Sequence, residues 1–235
     1  MSGEIGFEVR GFTPPPHPFG VMMEGHWARL EPLEADTHAG DLYRAFSGED
    51  RLWTWLPYGP FAGAAAYHRW AKDRETSRDP VFLAIRDRET GHVAGVASFL
   101  RMDQTHGVIE VGHICLGPEL QKTRAATEAI WLMMGWAFAQ GYRRFEWKCD
   151  ALNMPSRRAA QRLGFSYEGV FRQHLIVKGR NRDTAWFSVI DSEWPGLDEA
   201  FRAWLAPANF SAGGRQRERL SDLTQLARAG NDPLI

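Results

Sequence analysis

The chain has 235 residues, of which 44% are hydrophobic and 24% charged, and its formal net charge is -1. That is enough for one globular domain with or without a tail, and it offers no broad positive field to nucleic acid or an anionic membrane. No apolar run reaches membrane-spanning length, and the N-terminus lacks a basic-then-apolar leader, so a soluble cytoplasmic protein is the expectation.

Residues 1–24 hold Thr13-Pro-Pro-Pro-His-Pro18. The prolines block regular pairing and predict an extended lead-in that packs along the surface or serves as a partner ligand. His26 to Leu33 alternates as a first strand, and Asp36 is placed to cap a helix through Leu42, Ala45 and Phe46. Arg51 to Phe61 then gathers Trp53, Trp55, Tyr58 and Phe61 in one short loop. Such a loop either packs its own aromatics over the core or walls a pocket. Ala64 to Ser77 reads as a second helix. Val81–Ile85 and His92–Leu100 form a hairpin about Asp87–Gly91, and Val108–Leu116 is the next strand.

Gly117-Pro118 stops that strand, and from about Lys122 the period becomes helical, with Ala126, Ile130, Met133 and Ala137 on one face. Gly141 ends this helix. Arg144–Cys149 is a strand, Pro155 opens a short helix closed by Gly164, and Tyr167–Val177 and Thr184–Asp191 finish the sheet around a Lys178–Asp183 loop. Leu197–Leu205 is a short helix. Beyond Ala206 the chain turns polar, and Leu220–Ala229 is a marginal helix in a tail that is mobile or docked. The domain is expected over residues 25–205, between the lead-in and a tail of 206–235. The order β-α-α-β-β-β-α-β-α-β-β predicts an α/β (mixed α+β) fold. Its core is a twisted, mixed, mostly antiparallel sheet of about seven strands flanked by helices.

Cys115 and Cys149 sit in apolar runs and read as buried reduced thiols. The eight histidines are scattered, with none at ligand spacing from Cys, Asp or Glu, so no metal site is expected.

Gln121-Lys-Thr-Arg-Ala-Ala126 resembles the Gln/Arg-x-x-Gly-x-Gly/Ala pyrophosphate loop of the GCN5-related N-acetyltransferases, and Asn153-Met-Pro-Ser156 and Leu163-Gly-Phe165 look like that family's later motifs. Together they resemble the branch that includes the ribosomal-protein N-terminal acetyltransferases, over about Gly25 to Trp194. Arg124 departs from the motif, standing where its first Gly would be, and Ala126 takes the second place. The resemblance implies that acetyl-CoA donates an acetyl group to a primary amine attacking directly in a ternary complex. The amine is a small molecule or a protein N-terminus. Dimers are common among proteins that look like this one.

Holding the donor falls to backbone N–H groups near Lys122, Thr123, Arg124, Ala125 and Ala126, with Thr127 behind them and Gln121 before them, at a helix mouth whose dipole favours phosphate. The resemblance lays the pantetheine arm along Ile114, Cys115 and Leu116 like an added strand, with Asn153 beside it or capping the next helix. It also puts the Ser156 hydroxyl near the sulfur, where it donates to the departing thiolate or only caps a helix, and makes the Trp53–Phe61 loop a wall of the acceptor side. Glu110, a carboxylate between Ile109 and Val111, is the candidate base, because burial raises a carboxyl from about 4.3 towards 6 or 7. Solvent exposure on the strand, or pairing with a nearby arginine, is the alternative for it. Simple alternation puts His113 on the opposite face from Glu110. Arg124 keeps a catalytically silent acyl-CoA-binding module open as a second function.

Overall fold

The computed structural model describes residues 6–229. Residues 1–5 of the predicted lead-in and 230–235 of the predicted tail lie outside them. The strands are β1 (Met23–Glu24), β2 (Ala28–Pro32), β3 (Val81–Asp87), β4 (Val93–Asp103), β5 (Val108–Leu116), β6 (Arg144–Asp150), β7 (Ser166–Val177) and β8 (Arg180–Ile190). The helices are α1 (Ala35–Phe46), α2 (Ala64–Glu75), α3 (Arg124–Ala139), α4 (Met154–Arg162), α5 (Trp194–Leu205) and α6 (Leu220–Ala229). One sheet runs β1-β2-β3-β4-β5-β6-β8-β7, so the two-residue β1 makes eight strands where about seven were expected.

Every neighbouring pair is antiparallel except β5 and β6. A parallel pair needs a crossover, and α3 supplies it. The β5–β6 ladder is short, from Val108↔Arg144 to Val111↔Trp147. Beyond it β5 continues against β4 to Leu116, and β6 continues against β8 to Asp150. The two strands therefore part, and the remaining edge of β5 has no β6 partner.

The larger core lies on the α3 side, where Ile109, Val111, Phe145 and Phe187 meet Ala129, Met133 and Ala137. A second core lies under α1 and α2, where Leu42, Phe46, Tyr67 and Trp70 cover Phe82 and Val96. Glu128 of α3 is buried, and its carboxylate accepts the backbone N–H groups of His26 (3.0 Å), Trp27 (2.5 Å) and Ala28 (2.6 Å). One acid thus fixes the entry of β2 against the central helix.

Three local expectations change. Asp36 does not cap α1: Glu34 holds that position without a side-chain bond to a helix N–H, and Asp36 turns to His68 (2.8 Å) and Lys72 (3.3 Å) of α2. The β7–β8 connection is two residues, Lys178 and Gly179, both at positive φ (48° and 73°), the turn that matches strand twist. Residues 180–183 therefore belong to β8. Helix α3 begins at Arg124 because Thr123 is its N-cap and Lys122 stands in the left-handed region at φ 62°.

The flanking segments dock. Pro15 accepts from Gln104 (2.6 Å), and the carbonyl of Pro16 accepts from the Tyr142 hydroxyl (3.0 Å). After α5, Asn209 is a buried hub that donates to the carbonyls of Trp204 (3.0 Å) and Glu218 (3.3 Å) and accepts from the Glu218 N–H (2.8 Å). Leu220 is fully buried, and the Thr224 hydroxyl donates to the Arg162 carbonyl (3.2 Å), which holds α6 on α4 and α5.

Candidate active site

The parting of β5 from β6 opens onto the loop that starts α3. Gly117 N–H donates to Ala94 (2.8 Å), Leu120 is fully buried beneath the loop, and the Gln121 side chain donates to the Leu116 carbonyl (2.8 Å). The Thr123 hydroxyl donates to Leu120 (2.8 Å) and accepts from the Ala126 N–H (3.1 Å). That one side chain closes the loop and caps the helix. Among the described residues, the N–H groups of Lys122, Arg124 and Ala125 donate to no protein acceptor. They are the unpaired donors a helix mouth offers to an anion.

A cleft of about 1680 Å³ spans this region, larger than the ~300–1,000 Å³ of a drug-sized ligand site. Ile114, Cys115 and Leu116 line it from β5, and Gln121 through Thr127 from the loop and first turn. Trp147, Asn153 and Ser156 face it from the β6–α4 side. Asn153 is the N-cap of α4: its Oδ1 accepts the Ser156 N–H (3.2 Å). Ser156 Oγ in turn accepts from Trp147 Nε1 (3.0 Å), which leaves the hydroxyl's own hydrogen to donate elsewhere. Thr127 is buried, with its hydroxyl between Thr123 and Arg162.

Of the aromatic loop, Trp55 lines the cleft with Leu52 and Thr54, and it is exposed. Trp53, Tyr58 and Phe61 do not line it. Trp53 is buried against Phe46 (5.5 Å between ring centroids) and Phe61 (5.2 Å), and the half-buried Tyr58 packs on Trp70 (4.7 Å). Trp53 and Leu56 belong to the core with Tyr58 and Phe61 packed half-buried against it, and the Lys178 ammonium at the β7–β8 turn ties the loop down through the carbonyls of Trp53 (2.8 Å) and Tyr58 (3.0 Å).

Glu110 is buried as expected, but it is neither isolated nor on the cleft wall. Arg101 Nη1 lies 3.0 and 2.9 Å from its two oxygens, and Lys148 Nζ lies 3.0 Å from one of them. Lys148 also meets Glu146 (2.7 Å), Glu146 meets Arg144 (2.8 Å), and Arg144 meets Glu168 (2.7 Å). Glu110 is therefore found with cationic partners, the arrangement the sequence left open beside the base role. The Arg144 guanidinium, ahead of other contacts, holds the Glu168 carboxyl below the usual range. This chain of charges was legible in part: Arg144, Glu146 and Lys148 alternate onto one face of β6, and the register sets Glu146 beside Glu110.

His113 is a second correction. Two residues of β5, His113 and Ile114, oppose Ala97 alone, and His113 has φ 51°. This β-bulge cancels the alternation and turns the imidazole to the α1–α2 side of the sheet, the side on which Glu110 sits. There it stacks on Tyr58 (5.6 Å) with Nδ1 3.2 Å from the phenol oxygen. Burial, more than the nearby arginines, pulls it down to about 4, so it is neutral at pH 7. Burial also pushes the Cys115 thiol up to about 12 and raises Cys149, so both stay protonated.

Arg124, the motif departure, lays its guanidinium over Trp27 (3.6 Å from the ring centroid) and near Phe210 (4.9 Å). A side chain at this position therefore packs outward on aromatics while its N–H stays in the helix mouth.

The sequence profile of the acetyltransferase (GNAT) domain matches residues 28–166. The chain belongs to the GNAT acetyltransferase family. A solved structure, a GCN5-related N-acetyltransferase from Brucella melitensis, is 48% identical with a TM-score of 0.90, covering 92% of this chain and 100% of that one. Among curated relatives, the uncharacterized N-acetyltransferase p20 of Bacillus licheniformis is 32% identical over 115 residues, 48% of this chain and 64% of the relative. YdaF of Bacillus subtilis (strain 168), whose name assigns it provisionally to the ribosomal N-acetyltransferases, is 29% identical over 107 residues, 45% of this chain and 58% of the relative. The aligned stretch thus spans about three fifths of those two relatives. The YdaF match agrees with the branch indicated by Asn153–Ser156 and Leu163–Phe165.

GNAT acetyltransferases use acetyl-CoA, and the GNAT cleft in this chain fits it. Three free N–H groups and Lys122 suit a pyrophosphate, and the unpaired edge of β5 offers backbone partners to the arm's amides. Among the described residues no group of three His, Cys, Asp or Glu stands at metal-binding range, and no helix is long and apolar enough to cross a membrane. The sequence did not single out the wall formed by residues 210–221, which lines the same cleft.

Proposed function

We propose that this chain transfers an acetyl group from acetyl-CoA to a primary amine, by direct attack of the amine on the thioester in a ternary complex. The observation that carries this reading is the parting of β5 and β6 after Val111↔Trp147 beside the N–H-lined mouth of α3. The mouth holds the pyrophosphate, and the arm pairs with the β5 edge at Ile114 to Leu116. The thioester then lies towards Ser156. Because Ser156 Oγ accepts from Trp147, its hydrogen is available to the departing thiolate, which would otherwise leave with a pKa of about 8.5.

For the amine, Glu110 is the acid nearest along β5 to the point of parting. Its Lys148 partner is almost wholly buried, while the Arg101 side chain is 50% exposed. In this reading an incoming ammonium displaces Arg101, pairs with Glu110 and passes its proton there. Trp55, exposed at the cleft, is the aromatic that meets the acceptor. The acceptor is a small amine or a protein N-terminus.

Two measurements test the reading. CoA raises the melting temperature, because a ligand that binds only the folded form stabilises it. Acetyl-CoA with a panel of amines and N-terminal peptides releases free thiol. Binding without thiol release from any amine would leave a silent CoA-binding module instead. Glu110→Gln lowers turnover more than CoA affinity; an equal loss of both rejects the base role.

A further inference from the structure

The cleft carries more positive charge than a pyrophosphate needs. Eight basic side chains line it against two acidic ones, Asp87 and Glu89, in a chain whose formal net charge is -1. Some of the eight are engaged elsewhere: Arg124 lies on Trp27, and Arg162 donates to Thr127 (3.2 Å). Three are not. Arg215, Arg217 and Arg219 are exposed, line the cleft, and among the described residues their guanidinium groups make no ion pair or hydrogen bond.

The segment that bears them is fixed. Phe210 bridges to Gln216, Gln216 accepts from Trp204 Nε1 (2.8 Å), and Arg217 N–H donates to Asn209 (2.7 Å). Leu220 is then buried in the core. Gln216 turns its side chain to Trp204 and Glu218 its backbone to Asn209, while Arg215, Arg217 and Arg219 are left exposed. Phe210 touches Arg124 in the first turn of α3, so this strap borders the helix mouth.

Resting on the reading that the cleft takes CoA, we propose that the Arg215–Arg217–Arg219 strap binds the 3′-phosphate of the CoA ribose. CoA carries two phosphate groups in its pyrophosphate and a third, a monoester dianion, on the ribose. The mouth's N–H groups serve the first two. A separate set of guanidinium groups beside that mouth suits the third, since planar forks match phosphate oxygens. The strap makes the protein selective for CoA over 3′-dephospho-CoA, which differs only in lacking that group.

The test is calorimetric titration of the full chain with CoA and with 3′-dephospho-CoA at low and high salt, for wild type and for a variant carrying Arg215→Gln, Arg217→Gln and Arg219→Gln. Wild type is expected to bind CoA about tenfold or more tightly than 3′-dephospho-CoA, with the gap narrowing as salt screens exposed charges. The variant should bind both ligands alike, at the wild-type affinity for 3′-dephospho-CoA. Its melting temperature without ligand reports whether the strap stays docked, and Arg217→Lys alone should keep part of the preference. Equal wild-type affinities, or a preference that survives in the folded variant, would overturn the strap's role and leave the cleft a CoA site. Binding of neither ligand to wild type would overturn both.

Discussion

Two buried ionisable side chains carry measurable consequences. His113 is held at about 4 by burial, whereas a free imidazole titrates near 6.5. Between those values the unfolded chain binds a proton that the folded chain refuses. Stability is therefore full above about pH 6.5 and falls as pH drops towards 4. His113→Asn tolerates the left-handed backbone and should flatten that part of the curve in urea titrations near pH 7 and pH 5. An unaltered slope would move the effect to another group. Glu128 satisfies three backbone N–H groups at once, so Glu128→Ala strands them and should cost about 1–3 kcal/mol or more in urea unfolding. A Cβ on Gly25 would come within 2.5 Å of a carboxylate oxygen of Glu128 that these bonds pin in place. Gly25→Ala should therefore destabilise by about 1–3 kcal/mol. A loss below about 0.5 kcal/mol in both variants would show that the β2 entry is held by something else.

Elements with a strong period were readable, and the places that broke the period were not. Strand β5, helix α3 and the Pro155-to-Gly164 helix fall where alternation, helical spacing and Pro/Gly punctuation put them. The β5 bulge has no such mark. A one-residue slip at His113 reverses which face every later residue meets, and it alone explains why His113 and Glu110 share a side. The Glu110 environment was half legible, because its β6 neighbours alternate in sequence but the partnership of β5 with β6 is long-range. The loop between β5 and α3 was legible as a strand stop before a helix start, through Gly117-Pro118 and the change of period near Lys122. What the sequence did not mark is how tightly Gly117 is held: a Cβ there would meet the carbonyl oxygens of Ala45 at 2.8 Å and Ala94 at 3.1 Å. Both are backbone and cannot yield cheaply. Gly117→Ala should cost about 1–3 kcal/mol and weaken CoA binding by displacing the loop, and a variant of wild-type stability and affinity would show the loop to be more compliant than its packing.

Across the whole molecule, the segment after α5 docks on the domain and lines the cleft. Its composition is polar and arginine-rich, which left a mobile and a docked tail both open, and Asn209, Leu220 and Thr224 are buried. The docking depends on single buried polar anchors that no periodicity announces. A chain ending at Ala206 should lose melting temperature and bind CoA more weakly, since it uncovers Trp204 and Leu205 and removes one wall of the cleft. Retention of both properties would return the segment to the status of a tail. The central claim is that CoA enters between β5 and β6 with its pyrophosphate at the mouth of α3. A crystal structure of the full chain with CoA tests it most directly. It should place the pyrophosphate oxygens on the N–H groups of Lys122, Arg124 and Ala125 and the pantetheine amides on the β5 edge at Ile114 to Leu116. CoA bound elsewhere, or this cleft closed by side chains in the complex, would contradict it.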